Sequence, residues 1–266
     1  MPSQQEDDLG VATQVTEADH RLAADVAGRA GRLLVELRAE LEAAGAEARE
    51  LKDEGDRRSH LLIVDALAER VAAGDALLSE EGRDDAARLG AARVWIVDPL
   101  DGTREFSEPP RTDWAVHVAL VVDGTPVAGA VALPALGLTL ATDPAPPHPP
   151  AASGPPRVIV SRTRPPAAAT WLADRLGGEL VEMGSAGAKA MAVVRGEADV
   201  YAHSGGQYEW DSCAPVAVAS AAGLHVSRLD GAPMRYNNAD PYLPDLLICR
   251  PELASASLEA LADFEA

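Results

Sequence analysis

Apolar positions in the first quarter of the chain recur every three or four residues. Over residues 18–44, Leu22, Val26, Ala30, Leu33, Leu34, Leu37 and Leu41 fall on one face of a 3.6-residue repeat, which predicts an amphipathic helix. The same period predicts a second helix after Asp56, with Leu61, Leu62, Val64, Leu67 and Val71 facing inward. The grain then changes. Ala76-Leu77-Leu78 and Val94-Trp95-Ile96-Val97 are short continuous apolar runs that stop at acidic residues, the pattern of buried strands delivering carboxylates at their ends. Apolar stretches at 115–120 and 127–133 flank Asp123-Gly124, a hairpin signal. Pro134-Ala135-Leu136-Gly137 turns the chain again before 138–141, so an antiparallel meander is expected.

Residues 143–156 are proline-rich and predict a stiff, extended connection. They divide the chain into an N-terminal α+β portion, 1–142, and a C-terminal α/β portion, 157–266. In the latter, strands at 158–161, 199–202 and 246–249 alternate with helices at 167–176, 187–195 and 211–222.

With 266 residues, 47% of them hydrophobic, the chain can bury a substantial core. Its net charge of −19 repels polyanions, which excludes nucleic-acid polymers and anionic membranes as partners. Cys213 and Cys249 stand far apart with no CxxC pair, so neither a disulfide framework nor a thiolate zinc site is expected, and a reducing cytoplasm fits. The N-terminus, Met1 to Asp8, is acidic where a secretory signal would be basic and then apolar. The longest apolar region, 114–142, is interrupted by Asp123, Gly124, Pro126 and Pro134, against a membrane span. A soluble, cytoplasmic protein is the expectation.

Five acidic residues, Asp56, Glu80, Asp98, Asp101 and Asp211, sit where predicted elements meet, and together they suit a hard divalent cation such as Mg²⁺. The Asp98-x-x-Asp101 spacing lets two carboxylates enter one cleft while the Leu100 carbonyl turns inward as a further oxygen ligand. Two cations about 3.5–4 Å apart could then share Asp98, an arrangement used for in-line phosphoryl displacement. Gly102-Thr103 follows, and a glycine there permits backbone N–H groups to approach a phosphate. Bound cations and helix amides would supply the positive field that the side-chain census lacks. Taken singly, each motif also fits a turn, a helix cap or a solvated acidic pair.

Their joint order is more specific. Glu80-Glu81, then Asp98-Pro-Leu-Asp-Gly-Thr103, then Trp210-Asp211-Ser-Cys-Ala-Pro215 resembles the signature of the lithium-inhibited, metal-dependent phosphatases that include inositol monophosphatases and fructose bisphosphatases. Asp-Gly-Thr-Arg104-Glu105-Phe106 is similar to the 3'(2'),5'-bisphosphate nucleotidases of the CysQ type. Asp113-Trp114-Ala-Val-His-Val-Ala-Leu120, Val160-Ser161-Arg162 and Gly184-Ser185-Ala-Gly-Ala-Lys189 resemble further segments of that group. The resemblance implies an α+β fold, a layered α-β-α-β-α sandwich, with the active site between the two halves.

It also implies roles. Glu80, Asp98 and the Leu100 carbonyl would hold a first Mg²⁺, and Asp98, Asp101 and Asp211 a second, with Asp56 beside a third; Li⁺ would compete as an inhibitor. Thr103, held by Asp56 or Glu80, would orient the attacking water. Substrate would meet Glu80, Leu100, Asp101, Gly102, Thr103 and Asp211 at its phosphate, and Ser161, Arg162, Gly184, Ser185 and Lys189 at its nucleoside. The stretch Leu51-Lys52-Asp53-Glu54-Gly55 before Asp56 departs from relatives as a shortened loop, which leaves Asp53, Glu54 and Asp56 as alternatives for the third position.

The implied reaction is hydrolysis of the 3'-phosphate of adenosine 3',5'-bisphosphate to AMP, and of its sulfated relative, within sulfur assimilation. Inositol phosphate or fructose bisphosphate in the same site is the alternative. An acidic module that only binds Ca²⁺ or a protein is a third reading, although Asp98 to Gly102 does not fit the EF-hand spacing. The expected partner is a small phosphorylated nucleotide, and a homodimer is left open.

Overall fold

The computed structural model describes residues 14–150 and 154–264. Two five-stranded sheets organise it. Strands β1 (Ala76–Ser79), β2 (Arg93–Asp101), β3 (Ala115–Val122), β4 (Thr125–Leu133) and β5 (Leu138–Ala141) lie in sequential order, antiparallel except for the β1–β2 pair. In the second sheet, β6 (Arg157–Ser161), β7 (Glu179–Met183), β8 (Val200–Tyr208), β9 (His225–Ser227) and β10 (Tyr242–Cys249) take the order β7-β6-β8-β10-β9. There β6 is parallel to β7 and β8, whereas β10 runs antiparallel to β8 and β9.

Both faces of both sheets are covered, which explains why the strands read as continuous apolar runs rather than alternating ones. Trp95 and Val97 of β2 face helices α1 (Glu17–Ala43) and α2 (Ala48–Ala72), burying Val26, Leu34, Leu37, Ile63 and Leu67. Val94 and Ile96, their alternates, face a middle layer of α5 (Ala186–Val194) and α6 (Glu209–Ala221), which also covers Ile159, Leu246 and Ile248 of the second sheet. The far side of that sheet, through Val158, Val160, Leu247 and Cys249, buries α4 (Ala167–Leu176) and α7 (Pro251–Ala262). The layers are therefore α-β-α-β-α, as expected. The middle core draws residues from both sides of the 143–156 connection. Midway along that connection the Pro149 and Pro150 carbonyls accept from Arg250, which pins the segment there to the second sheet.

The second helix departs from its expectation in extent and phase. It begins at Ala48, so Leu51 to Asp56 is helix rather than a shortened loop, and Asp56 lies inside the element. Its buried stripe is Leu51, Gly55, Ser59, Ile63 and Leu67, a run of four-residue steps. Leu61 and Val71 are 54% and 42% exposed, contrary to the inward facing expected of them. The phase is set by close packing: a Cβ on Gly55 would lie 2.8 Å from Leu100 and 2.9 Å from Phe106. Ser59 adds a hydrogen bond to the Pro99 carbonyl at 2.6 Å, so the face bearing Asp56 is locked onto the end of β2. Strand β7, β9 and helix α7 had no counterpart in the sequence reading, and β2 and β8 run longer than expected.

Candidate active site

The site forms where β2 loses register with β3 between Asp98 and Asp101. In a regular strand, residues three apart point to opposite faces; the irregularity lets both carboxylates reach the same cleft. Asp98, Asp101 and Asp211 offer oxygen atoms that all lie within 4.8 Å of one another. Asp211 arrives from the first turn of α6, where its carboxylate accepts the Tyr208 N–H at 2.6 Å. Gly102 then turns the chain at φ +86°, and a Cβ there would approach Ser185 at 3.0 Å and the Asp113 carbonyl at 3.2 Å. Only glycine combines that conformation with that contact.

Glu80 and Asp56 complete the acidic face. Glu80, just after β1, stands beside Asp98, and Asp56 beside Thr103. The Thr103 hydroxyl also lies 3.1 Å from the Leu100 carbonyl, and the Leu100 N–H donates to Asp98 at 3.0 Å. Of the two alternatives to Asp56, Glu54 is engaged by Arg57 and Arg58, each at 2.8 Å, and the Asp53 side chain is 67% exposed. Asp56 is the member of that trio that joins the cluster.

Loss of solvent dominates the electrostatics of this face. It pushes Asp56, Glu80 and Asp211 up to about 7, with neighbouring carboxylates adding to the shift. Asp98, fully buried, is driven well above the carboxylate range by the same burial and by the charges of Glu80, Asp101 and Asp211. Four carboxylates crowded into mutual repulsion, with the nearby His117 imidazole turned to Asp101 and the Trp210 carbonyl, are the oxygen-donor set a hard divalent cation neutralises. The residues therefore fit Mg²⁺.

Asp101 behaves oppositely. Burial alone would raise it, but His117, Lys189 and Ser185 outweigh burial and lower it to about 2. It accepts Ser185 Oγ and the Gly187 N–H at 2.5 Å, and the Ala186 N–H at 3.1 Å, so it caps the N-terminus of α5. His117 Nε2 lies 3.3 Å from Asp101, and its Nδ1 bonds the Trp210 carbonyl at 3.0 Å.

A cleft of about 290 Å³ opens beside the cluster, bordered by Asp101, Gly102, Thr103, Ser161, Gly184, Ser185 and Asp211 of the expected set. Leu100 contributes only backbone, its side chain being buried in the outer core. Two nominated cations stand back from the cleft. Lys189 is buried behind it, donating to the Gly184 and Ser185 carbonyls. Arg162 is held by Glu105 at 2.9 Å and Glu108 at 2.6 Å. Arg104, Glu105, Thr163 and Arg164 also border the cleft and His117 backs it, in places to which neither spacing nor the resemblance gives a role. The signal for His117 was available: it is the sole polar side chain in β3, Ala-Val-His-Val-Ala-Leu-Val-Val.

Residues 12–143 and 157–262 match the inositol monophosphatase family. The chain belongs to that family. The match passes over 144–156, most of the proline-rich connection. A 3'-phosphoadenosine 5'-phosphate phosphatase of Mycobacterium leprae is 49% identical over 263 residues, covering 94% of this chain and 96% of its own length. The protein of the same name from Mycobacterium bovis is 52% identical over 246 residues, covering 88% and 90%. Among solved structures, CysQ from Bacteroides thetaiotaomicron superposes with a TM-score of 0.73 at 28% identity, over 88% of this chain and 97% of that one. Among the described residues, no helix is long and apolar enough to cross a membrane.

Proposed function

We propose that this inositol monophosphatase family member is a phosphoric monoester hydrolase that converts adenosine 3',5'-bisphosphate to AMP and inorganic phosphate, and that it also accepts the 5'-phosphosulfate relative. The observation that carries the reading is the three-carboxylate cluster of Asp98, Asp101 and Asp211 within 4.8 Å, in a chain about half identical to relatives named for that activity.

The Leu100 carbonyl with Glu80 and Asp98 would hold one Mg²⁺, and Asp98 with Asp101 and Asp211 a second, with Asp56 beside a third position. Bound there, the cations would activate water and neutralise phosphoryl charge. The chain's own groups do the rest. Thr103, held by its hydroxyl on the Leu100 carbonyl with Asp56 beside it, orients the attacking water, and Asp56 takes the water's proton. The new bond forms from water oxygen to phosphorus as the bond from phosphorus to the ribose 3'-oxygen breaks; that oxygen takes a proton from solvent water, and the proton held by Asp56 returns to solvent. Asp101, pinned by α5 and His117, stays ionised throughout and keeps the geometry fixed. Li⁺ at millimolar concentration would compete for the same oxygens, and the chain would work as a cytoplasmic enzyme on a small nucleotide.

Phosphate release from adenosine 3',5'-bisphosphate, inositol 1-phosphate and fructose 1,6-bisphosphate, measured side by side with Mg²⁺, tests this. The nucleotide should turn over fastest; a sugar phosphate hydrolysed faster by a wide margin would sink the substrate assignment.

A further inference from the structure

We propose that Arg104 and Arg164 clamp the phosphate that is not hydrolysed, and so set the preference for a bisphosphorylated over a monophosphorylated nucleotide. This rests on the function proposed above. The cleft runs from Asp101 and Asp211, where the scissile phosphate would sit, to Arg164 on the loop after β6. Its acidic lining and the net charge of −19 oppose a doubly phosphorylated ligand, so some cation must face the second phosphate.

The cations around the cleft differ in what already holds them. Arg162 is engaged, Nε to Glu105 at 3.0 Å and Nη2 to Glu108 at 2.6 Å. Lys189 is engaged, by the backbone carbonyls of Gly184 and Ser185. Arg104 and Arg164 both line the cavity, and among the described residues neither guanidinium has an ion pair or hydrogen-bond partner. Arg104 follows Thr103 directly, while Arg164 enters on the loop anchored by its N–H to Ser161 Oγ at 3.3 Å. They therefore approach one cavity from two separate elements. A guanidinium presents two parallel N–H donors to a phosphate, which suits it to recognise that group by shape as well as charge.

The test compares kcat/KM for adenosine 3',5'-bisphosphate and adenosine 3'-monophosphate in the wild type, Arg104→Gln, Arg164→Gln, the double variant and Arg164→Lys. Each single Gln variant should lower the bisphosphate-to-monophosphate ratio by about tenfold, mainly through KM, and the double variant should lower it further. Arg164→Lys should recover part of that loss, and raising the salt should shrink the wild-type ratio by screening. Equal losses on both substrates, or an unchanged ratio in variants whose melting temperature matches wild type, would overturn the inference. A wild-type chain that hydrolyses both nucleotides without preference overturns it while leaving the proposed function standing. A wild type inert on both removes that function and the clamp together.

Discussion

Asp98 and Asp101 stand three residues apart on one strand and titrate in opposite directions. Around Asp98 lie Glu80, Asp101 and Asp211, so burial removes water and the neighbours add repulsion. Around Asp101 lie His117, Lys189 and the first amides of α5, so equal burial is outweighed by donors and positive charge. One half of the site gathers repulsion for a cation to relieve, and in the other the carboxylate is already held ionised by the groups behind it. Sequence spacing brings the two carboxylates together, but only the elements packed behind each determine its charge.

The sharpest way to break that contrast is to neutralise each carboxylate in turn. Asp98→Asn and Asp101→Asn should both cost phosphate release roughly 10²–10³-fold or more. Their effects on the metal-free fold should diverge: Asp98→Asn raises the melting temperature by removing repulsion, whereas Asp101→Asn lowers it by weakening the cap on α5. Melting curves in chelator that move the same way for both variants would erase the distinction.

Asp56→Asn should lower phosphate release by about 10²-fold, because Thr103 loses its partner and the water its proton acceptor. His117→Asn comes next, with roughly 10–100-fold weaker Mg²⁺ binding by titration calorimetry, since it removes the group that orients Asp101.

The acidic half also makes a pH prediction. Asp56, Glu80 and Asp211 titrate near 7 in the folded chain, against ordinary values of 3.8, 4.5 and 3.8. Their folded values are raised, so the folded chain holds protons that the unfolded chain releases. This contribution to stability is present below about 4 and is lost as pH rises to about 7. Metal-free melting temperatures should fall across that window, and saturating Mg²⁺ should flatten the fall. A metal-free chain that gains stability between those limits would contradict the crowding of the acidic face.

The smallest effects belong to the neighbours of Asp56. Glu54→Gln and Asp53→Asn should change stability by no more than about 1 kcal/mol and leave Mg²⁺ affinity within about twofold, because Asp53 is exposed and Glu54 is held by Arg57 and Arg58 rather than by the cluster. A larger loss of affinity for either would return it to contention as the third ligand.

Much of this architecture was legible in the chain. The bounds of α1 and α4 and the meander from β3 to β5 follow from period, proline and glycine alone. The acidic cluster was legible because its members come in motifs with a fixed order. What escaped has physical causes. The second helix was misjudged because its buried stripe includes Gly55 and Ser59, which carry no apolar signal yet are fixed by Leu100, Phe106 and Pro99. Strand β7, Glu-Leu-Val-Glu-Met, lies at a sheet edge and is half polar, so its pattern was faint. Arg162 and Lys189 are expected at the nucleoside, and their own partners, Glu105 with Glu108 and two carbonyls, are contributed by the fold rather than by spacing.

The shared middle layer has a consequence for synthesis. Helix α6 covers β2, β3 and β4 of the first sheet, yet the residues forming it follow β5 by more than sixty positions. Until the ribosome has released that helix, the first sheet carries one bare apolar face, through Val94, Ile96, Ala119 and Val131. A nascent chain halted after the proline-rich connection would thus expose a ready surface for aggregation or for a chaperone, and would hold only part of its catalytic carboxylates.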